Sequence, residues 1–202
     1  MTPSLVRVLI FTFLLVNTAS AQNRDGKQRP LAQRATSTRS SNEHWYRFFS
    51  PDKDFVIQLP SKPERRADDE VPSGTSRNYI LIKASMIFQL SYVDTGFEPT
   101  DQEANQFPPG FSREMIDHAT QERGATMLRS QLLHINIYEL EIIFPRRGDR
   151  NIMLHSVERY VIRYGRQYTL TCSSTTPNER VDLRVCQRFF DSFRIVGIPQ
   201  PQ

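Results

Sequence analysis

The alternation of apolar and polar positions is clearest at Phe55, Ile57 and Leu59, which share one side of an extended segment whose other side carries Val56 and Gln58. Pro60 closes that segment. The same period of two recurs in Met86, Phe88, Leu90 and Tyr92 against Ile87, Gln89 and Ser91. It recurs again in Tyr138, Leu140, Ile142 and Phe144, so the intervening Glu139 and Glu141 must point the other way, toward water or a polar partner. Pro145 to Arg150 reads as a turn, Asn151 to Ile162 as a further extended run, and Tyr164-Gly165 as a break before Tyr168 to Ser173. These segments predict a meander of antiparallel strands.

Two stretches change to a period of three and four. After Pro108-Pro109-Gly110, Ser112 is the expected N-cap of a helix with Glu114 in its first turn and Met115, Ile116 and Ala119 as its apolar stripe, ending near Gly124. A second helix is expected from about Arg180 to Phe193, where Val181, Val185 and Phe189 interleave with Leu183, Cys186, Phe190 and Phe193. The aromatic residues Phe189, Phe190 and Phe193 are read as core, and the second helix as lying across the sheet. Strand runs with segregated helices give an α+β fold: an antiparallel β-sheet with helices packed on it. Phe55, Ile57 and Leu59 each contribute about 1.5 to 3 kcal/mol when buried.

The N-terminal region reads differently. Arg7, the apolar run Val8 to Val16 and the small residues Ala19-Ser20-Ala21 predict a cleavable signal peptide over residues 1–21, too short for a transmembrane anchor. Residues 22–43 carry Arg24, Lys27, Arg29, Arg34 and Arg39 against Asp25 and Glu43, with Leu31 the only large aliphatic, which predicts a disordered basic linker capable of weak contact with an anionic surface. Residues 44–197 then form one domain, followed by a short tail at 198–202. From His44 onward the chain holds 20 Lys plus Arg and 20 Asp plus Glu, so the domain is neutral and gives no support for nucleic-acid binding. The expected destination is secreted or periplasmic.

Both ends of the domain carry a resemblance. Trp45 to Phe49, the turn Ser50-Pro51-Asp52 and Phe55-Val56-Ile57-Gln58-Leu59-Pro60 with Pro63 resemble the opening hairpin of the PsbP-like superfamily. Tyr168 to Thr171, a polar loop and a helix ending Phe189-Phe190-Asp191-Ser192-Phe193 are similar to that superfamily's last strand and C-terminal helix. The resemblance spans most of His44 to Val196 and implies an antiparallel sheet with helices packed on it. Members include extrinsic photosystem II subunits, a nuclear-import factor that binds a small GTPase, and exported bacterial proteins of unknown role. No site motif of a characterised member is matched.

Candidate chemistry is sparse. His44, His118, His134 and His155 are isolated, with no metal-ligand spacing, phosphate loop or nucleophile elbow beside them, so no catalytic, cofactor or metal residues are assigned. Cys172 and Cys186 are the only cysteines of a chain expected to be exported, and each shares an apolar face of its element, which predicts a disulfide between them. Arg146, Arg147 and Arg150 crowd a hairpin tip and could engage an acidic partner, since arginine's planar fork suits carboxylate or phosphate. The polar sheet face of Glu139 and Glu141 is a second candidate surface. The expected function is non-catalytic protein binding or assembly with another envelope or extracellular protein. The alternatives are a small-molecule-binding or hydrolytic domain whose residues converge only in three dimensions, and an envelope structural protein.

Overall fold

The computed structural model describes residues 44–71, 74–95, 102–146, 149–176 and 179–197. The expected signal peptide, linker and C-terminal tail lie outside the described residues. In chain order the first strands are β1 (Tyr46–Phe49), β2 (Phe55–Leu59), β3 (Glu64–Arg65), β4 (Asp69–Val71), β5 (Gly74–Lys83) and β6 (Met86–Asp94). There follow helix α1 (Phe111–Asp117), β7 (Thr126–His134), β8 (Ile137–Arg146), β9 (Asp149–Arg163), β10 (Arg166–Ser174), helix α2 (Leu183–Asp191) and β11 (Arg194–Ile195).

Every described strand pairing is antiparallel. One sheet is ordered β1-β2-β11, and the larger runs β3-β5-β6-β10-β9-β8-β7 with β4 attached to β5. The expected meander is present as β7-β8-β9-β10. The opening hairpin is present too, with Phe48 opposite Ile57, but it sits in the small sheet. The β9–β10 turn places Tyr164 and Gly165 at φ 54° and 69°, the left-handed pair that suits the twist of a tight hairpin.

Alternate residues of β9 feed two separate cores. Val157 and Val161 join Phe55, Ile57, Leu90, Leu170, Phe189 and Phe190, while Leu154 and Tyr160 join Phe111, Met115, Tyr138, Leu140 and Ile142. Because successive strand side chains alternate faces, the cores lie on opposite sides of the large sheet. Phe189 of α2 meets Phe88 of β6 with ring centroids 5.4 Å apart, and Phe111 of α1 meets Tyr138 of β8 at 5.9 Å.

Three expectations need correction. The residue before α1 is Gly110 at φ 87°, with no side-chain cap, so Ser112 is not the N-cap; a left-handed residue there suits glycine and leaves Ser112 inside the first turn. The turn that continues α1, His118–Glu122, is a π-helix. Helix α2 is shorter than expected because Asp182 caps it, its carboxylate accepting from the backbone N–H of Arg184 and Val185. Leu183 is 49% exposed, since Val181, just upstream, enters the core in its place.

Candidate functional site

Helix α2 is held against the large sheet from two sides. Cys172 of β10 and Cys186 of α2 form a disulfide with Cα atoms 5.7 Å apart, both side chains buried. Beside it lies a polar cluster that the sequence did not assemble. Glu139 and Glu141 are buried rather than water-facing, at 4% and 8% exposure. Glu139 Oε2 accepts from Arg159 Nε and Nη2 at 3.0 and 2.7 Å, and its Oε1 from Arg129 and Gln131 at 2.9 and 3.2 Å. Arg159 also reaches Asp191 at the end of α2 at 3.3 Å, and its guanidinium lies 4.7 Å from the Phe190 ring centroid.

His155 belongs to the same cluster. Its Nδ1 accepts the backbone N–H of Val181 at 2.9 Å, which assigns the proton to Nε2, and Nε2 donates to Glu141 Oε1 at 2.9 Å. Both ring nitrogens are therefore engaged, and the imidazole is a structural tie between β9 and the chain entering α2, not a free base. Ser192 is equally occupied: its hydroxyl donates to the Phe189 carbonyl at 2.7 Å and accepts from Gln58 N–H at 2.9 Å, joining the end of α2 to β2.

A second cluster joins the two sheets. Arg166 of β10, fully buried, donates to Asp54 at 2.8 Å and Asp94 at 2.7 Å while stacking 4.8 Å from the Tyr92 ring centroid. Asp54 also accepts from Tyr168 Oη at 3.1 Å and from Ser50 Oγ. Burial, with the Asp54 carboxylate beside it, pushes the Tyr168 hydroxyl well above the usual tyrosine range. On the α1 side, Tyr160 donates to Glu158, which is paired with Arg123 at 2.8 Å, and burial followed by the Glu158 charge raises Tyr160 likewise.

These clusters fix the position of a surface with very different electrostatics. In the small sheet Arg47 stands opposite Gln58, and Val56 stands between Phe49 on one side and Arg194 on the other. Directly opposed residues share a face, so Arg47, Phe49, Val56, Gln58 and Arg194 lie on one side of the small sheet, where all but the buried Val56 are exposed. The C-terminal end of α2 flanks this face. Together they line a groove of about 560 Å³ with Arg47, Gln58, Arg188, Asp191, Ser192 and Arg194 on its walls. The other flank of α2 borders a groove of about 500 Å³ that includes Arg129, Glu139, Leu183, Arg184, Gln187 and Arg188.

The arginines of the first groove are held in place without acids. Arg188 lies 4.3 Å from the Trp45 ring centroid, Arg47 lies 5.0 Å from that of Phe49, and Arg194 donates to the carbonyls of Phe193, at 2.7 Å, and Asp191. Among the described residues none of the three pairs with a carboxylate. Arg184 and Arg188 also stand four apart on α2, a like-charge spacing that does not favour the helix. The arrangement can bind anions and apolar surface.

Of the hairpin tip, Arg146 ends β8 and is partly buried, and the backbone of Arg150 lies in β9. Arg147 lies outside the described residues. Arg146 does not line either groove beside α2. Among the described residues no group of three or more His, Cys, Asp or Glu is placed to hold a metal ion, and no helix is long and apolar enough to cross a membrane.

No family model matches the sequence, and no curated protein matches it. Among solved structures the chain is similar in overall form to a protein from Bacteroides thetaiotaomicron, at 12% identity and a TM-score of 0.44, covering 74% of this chain and 48% of that one. It is also similar to the Ran-binding protein Mog1p of Saccharomyces cerevisiae, at 8% identity and a TM-score of 0.47, covering 76% of this chain and 96% of that one. A third similar structure is the Pseudomonas aeruginosa protein PA94, of unknown function and described as a putative regulator, at 12% identity and a TM-score of 0.36, with coverages of 65% and 83%. The chain thus spans about half the length of the first of these, 48%.

Proposed function

We propose that this chain is an exported, non-catalytic protein-binding domain of PsbP-like fold, and that its partner docks on the face formed by α2 and the outer side of the small sheet. The carrying observation is the composition of that face. Phe49, 50% exposed, shares it with Arg47 and Arg194, and Arg188 stands at its margin, without acidic partners among the described residues. Exposed aromatic and arginine side chains clustered together are what protein interfaces enrich and what their energetic centres consist of. The polar groups nearest to it are engaged: Ser192 by backbone, His155 by Val181 and Glu141, and Glu139 by three side chains.

Export is supported by the apolar run and small residues of 1–21 and by a buried disulfide, a bond that persists in oxidising compartments. The fold name rests on the opening hairpin and closing helix motifs together with the all-antiparallel sheets. The partner is then an envelope or extracellular protein. Crosslinking the chain in its native envelope, with the crosslinked residues mapped by mass spectrometry, tests the reading. Crosslinks should fall on β1 and α2, and Phe49→Ala should abolish them while Arg113→Ala, on the exposed side of α1, leaves them intact. Crosslinks confined to other surfaces, or unaffected by Phe49→Ala, would refute it.

A further inference from the structure

We infer that the groove between the end of α2 and the outer face of the small sheet is a carboxylate-recognition subsite, taking acidic side chains from an extended segment of the partner. The inference rests on the docking face proposed above and goes beyond it by naming the chemistry that the partner must present. The three guanidiniums come from three elements, β1, α2 and β11. Arg47 and Arg194 stand two strands apart and two residues out of step along β2, being opposite Gln58 and Val56. With neighbouring strands about 4.8 Å apart and about 3.4 Å per residue, their Cα atoms lie roughly 12 Å from each other. An extended peptide with carboxylates four residues apart spans about 13 Å, which matches that backbone spacing.

The mode of support leaves the arginines ready to donate. Contact with the rings of Trp45 and Phe49 holds the guanidiniums of Arg188 and Arg47 without cancelling their charge. Groups already ordered by such contacts lose less freedom on binding. Asp191 lines the same groove, but its carboxylate is engaged by Arg159 at 3.3 Å and Gln187 at 2.7 Å, so the lining stays cationic. Ser192 and Gln58 supply neutral polar walls between the cations.

The test uses the mature chain and fluorescein-labelled oligoglutamate, followed by fluorescence anisotropy, with oligoglutamine as the neutral control and inorganic phosphate as competitor. Oligoglutamate should bind in a salt-sensitive way and oligoglutamine should not. The triple variant Arg47→Gln, Arg188→Gln, Arg194→Gln should weaken binding about tenfold or more, whereas Arg113→Gln should leave it unchanged. Because Arg188 covers Trp45, a second variant leaves it in place: Arg47→Glu with Arg194→Glu should lose oligoglutamate and gain oligolysine. Equal binding by wild type and both variants, or displacement by phosphate as readily as by unlabelled oligoglutamate, overturns the subsite. Crosslinks that still map to β1 and α2 in that event leave the docking face standing, while oligoglutamate binding with crosslinks elsewhere removes the docking face and keeps the subsite.

Discussion

Replacing Glu139 with Gln tests whether the polar cluster beneath α2 is a true buried ion pair. The substitution keeps the shape of the side chain and removes its charge. It also replaces one acceptor oxygen, among four donated hydrogen bonds, with an NH₂ that faces guanidinium N–H groups. Among carboxylates Arg159, 9% exposed, then keeps only Asp191 at 3.3 Å, and Arg129, whose side chain is 47% exposed, keeps Glu141 at 3.5 Å. Removing one member of a buried pair costs about 3–5 kcal/mol, and the two residual contacts place this case near the lower end, about 3 kcal/mol. For a domain of this size that lowers Tm by about 6–12 °C. Urea unfolding of wild type, Glu139→Gln, Arg159→Met and the double variant gives the coupling directly. The double variant should recover much of the loss, because no unpaired charge then stays buried. A Glu139→Gln protein within about 0.5 kcal/mol of wild type would refute the buried-pair reasoning.

Three further outcomes are expected. Reducing the Cys172–Cys186 bond, which closes a loop with a sequence separation of 14, should lower Tm by about 6–12 °C, from about 3 kcal/mol of loop closure, and the double Ser variant should not respond to reductant; a Tm indifferent to reduction would contradict it. Tyr160 and Tyr168 have folded-state pKa values raised above the unfolded value of about 10, so between the two values the native state binds more protons, and their contribution, complete below pH 10, is lost as pH rises. Phenolate absorbance from these two should therefore appear together with alkaline unfolding, and its appearance in a still-folded protein would count against their burial. N-terminal sequencing of exported material should begin at Gln22, and a cytosolic protein beginning at Met1 would remove the export proposal.

The strands with one apolar face were legible in the sequence because burial on one side imposes a period of two, as in Phe55-Ile57-Leu59 and Tyr138 to Phe144. Strand β5 and the edge strand β7 were not. Leu128, Leu132 and Leu133 of β7 are exposed, and register shifts on either side of Arg129 to Leu132 break the alternation that would have announced them. The two-residue β11 is too short to carry any pattern. The Glu139–Arg159 pair left no readable signal: the tip pairs Arg146 with Asp149, a fold-back that by itself would set Glu139 opposite Ser156, and the register shift between Pro145 and Arg146 brings Arg159 there instead. His155 with Glu141 left none, since those two are not directly opposed and the tie to Val181 depends on where the chain crosses to α2.

Charge balance explains why the proposed docking face escaped the composition. With 20 basic and 20 acidic residues from His44 onward, the domain reads as featureless. Beside arginines paired at the surface, such as Arg65 with Asp68, two further groups stand apart. Arg123, Arg159 and Arg166 lie inside or at the edge of the cores, where an uncompensated charge is not tolerated, and each is matched by Glu158, Glu139 or Asp54. Those acids are then neutralised locally and contribute little field at the surface. Arg47, Arg188 and Arg194 are held instead by rings and carbonyls, which fix a guanidinium without cancelling its charge. A chain with no net charge over its domain can therefore present a locally cationic groove. Binding there should weaken as salt rises, although the composition predicts no such dependence.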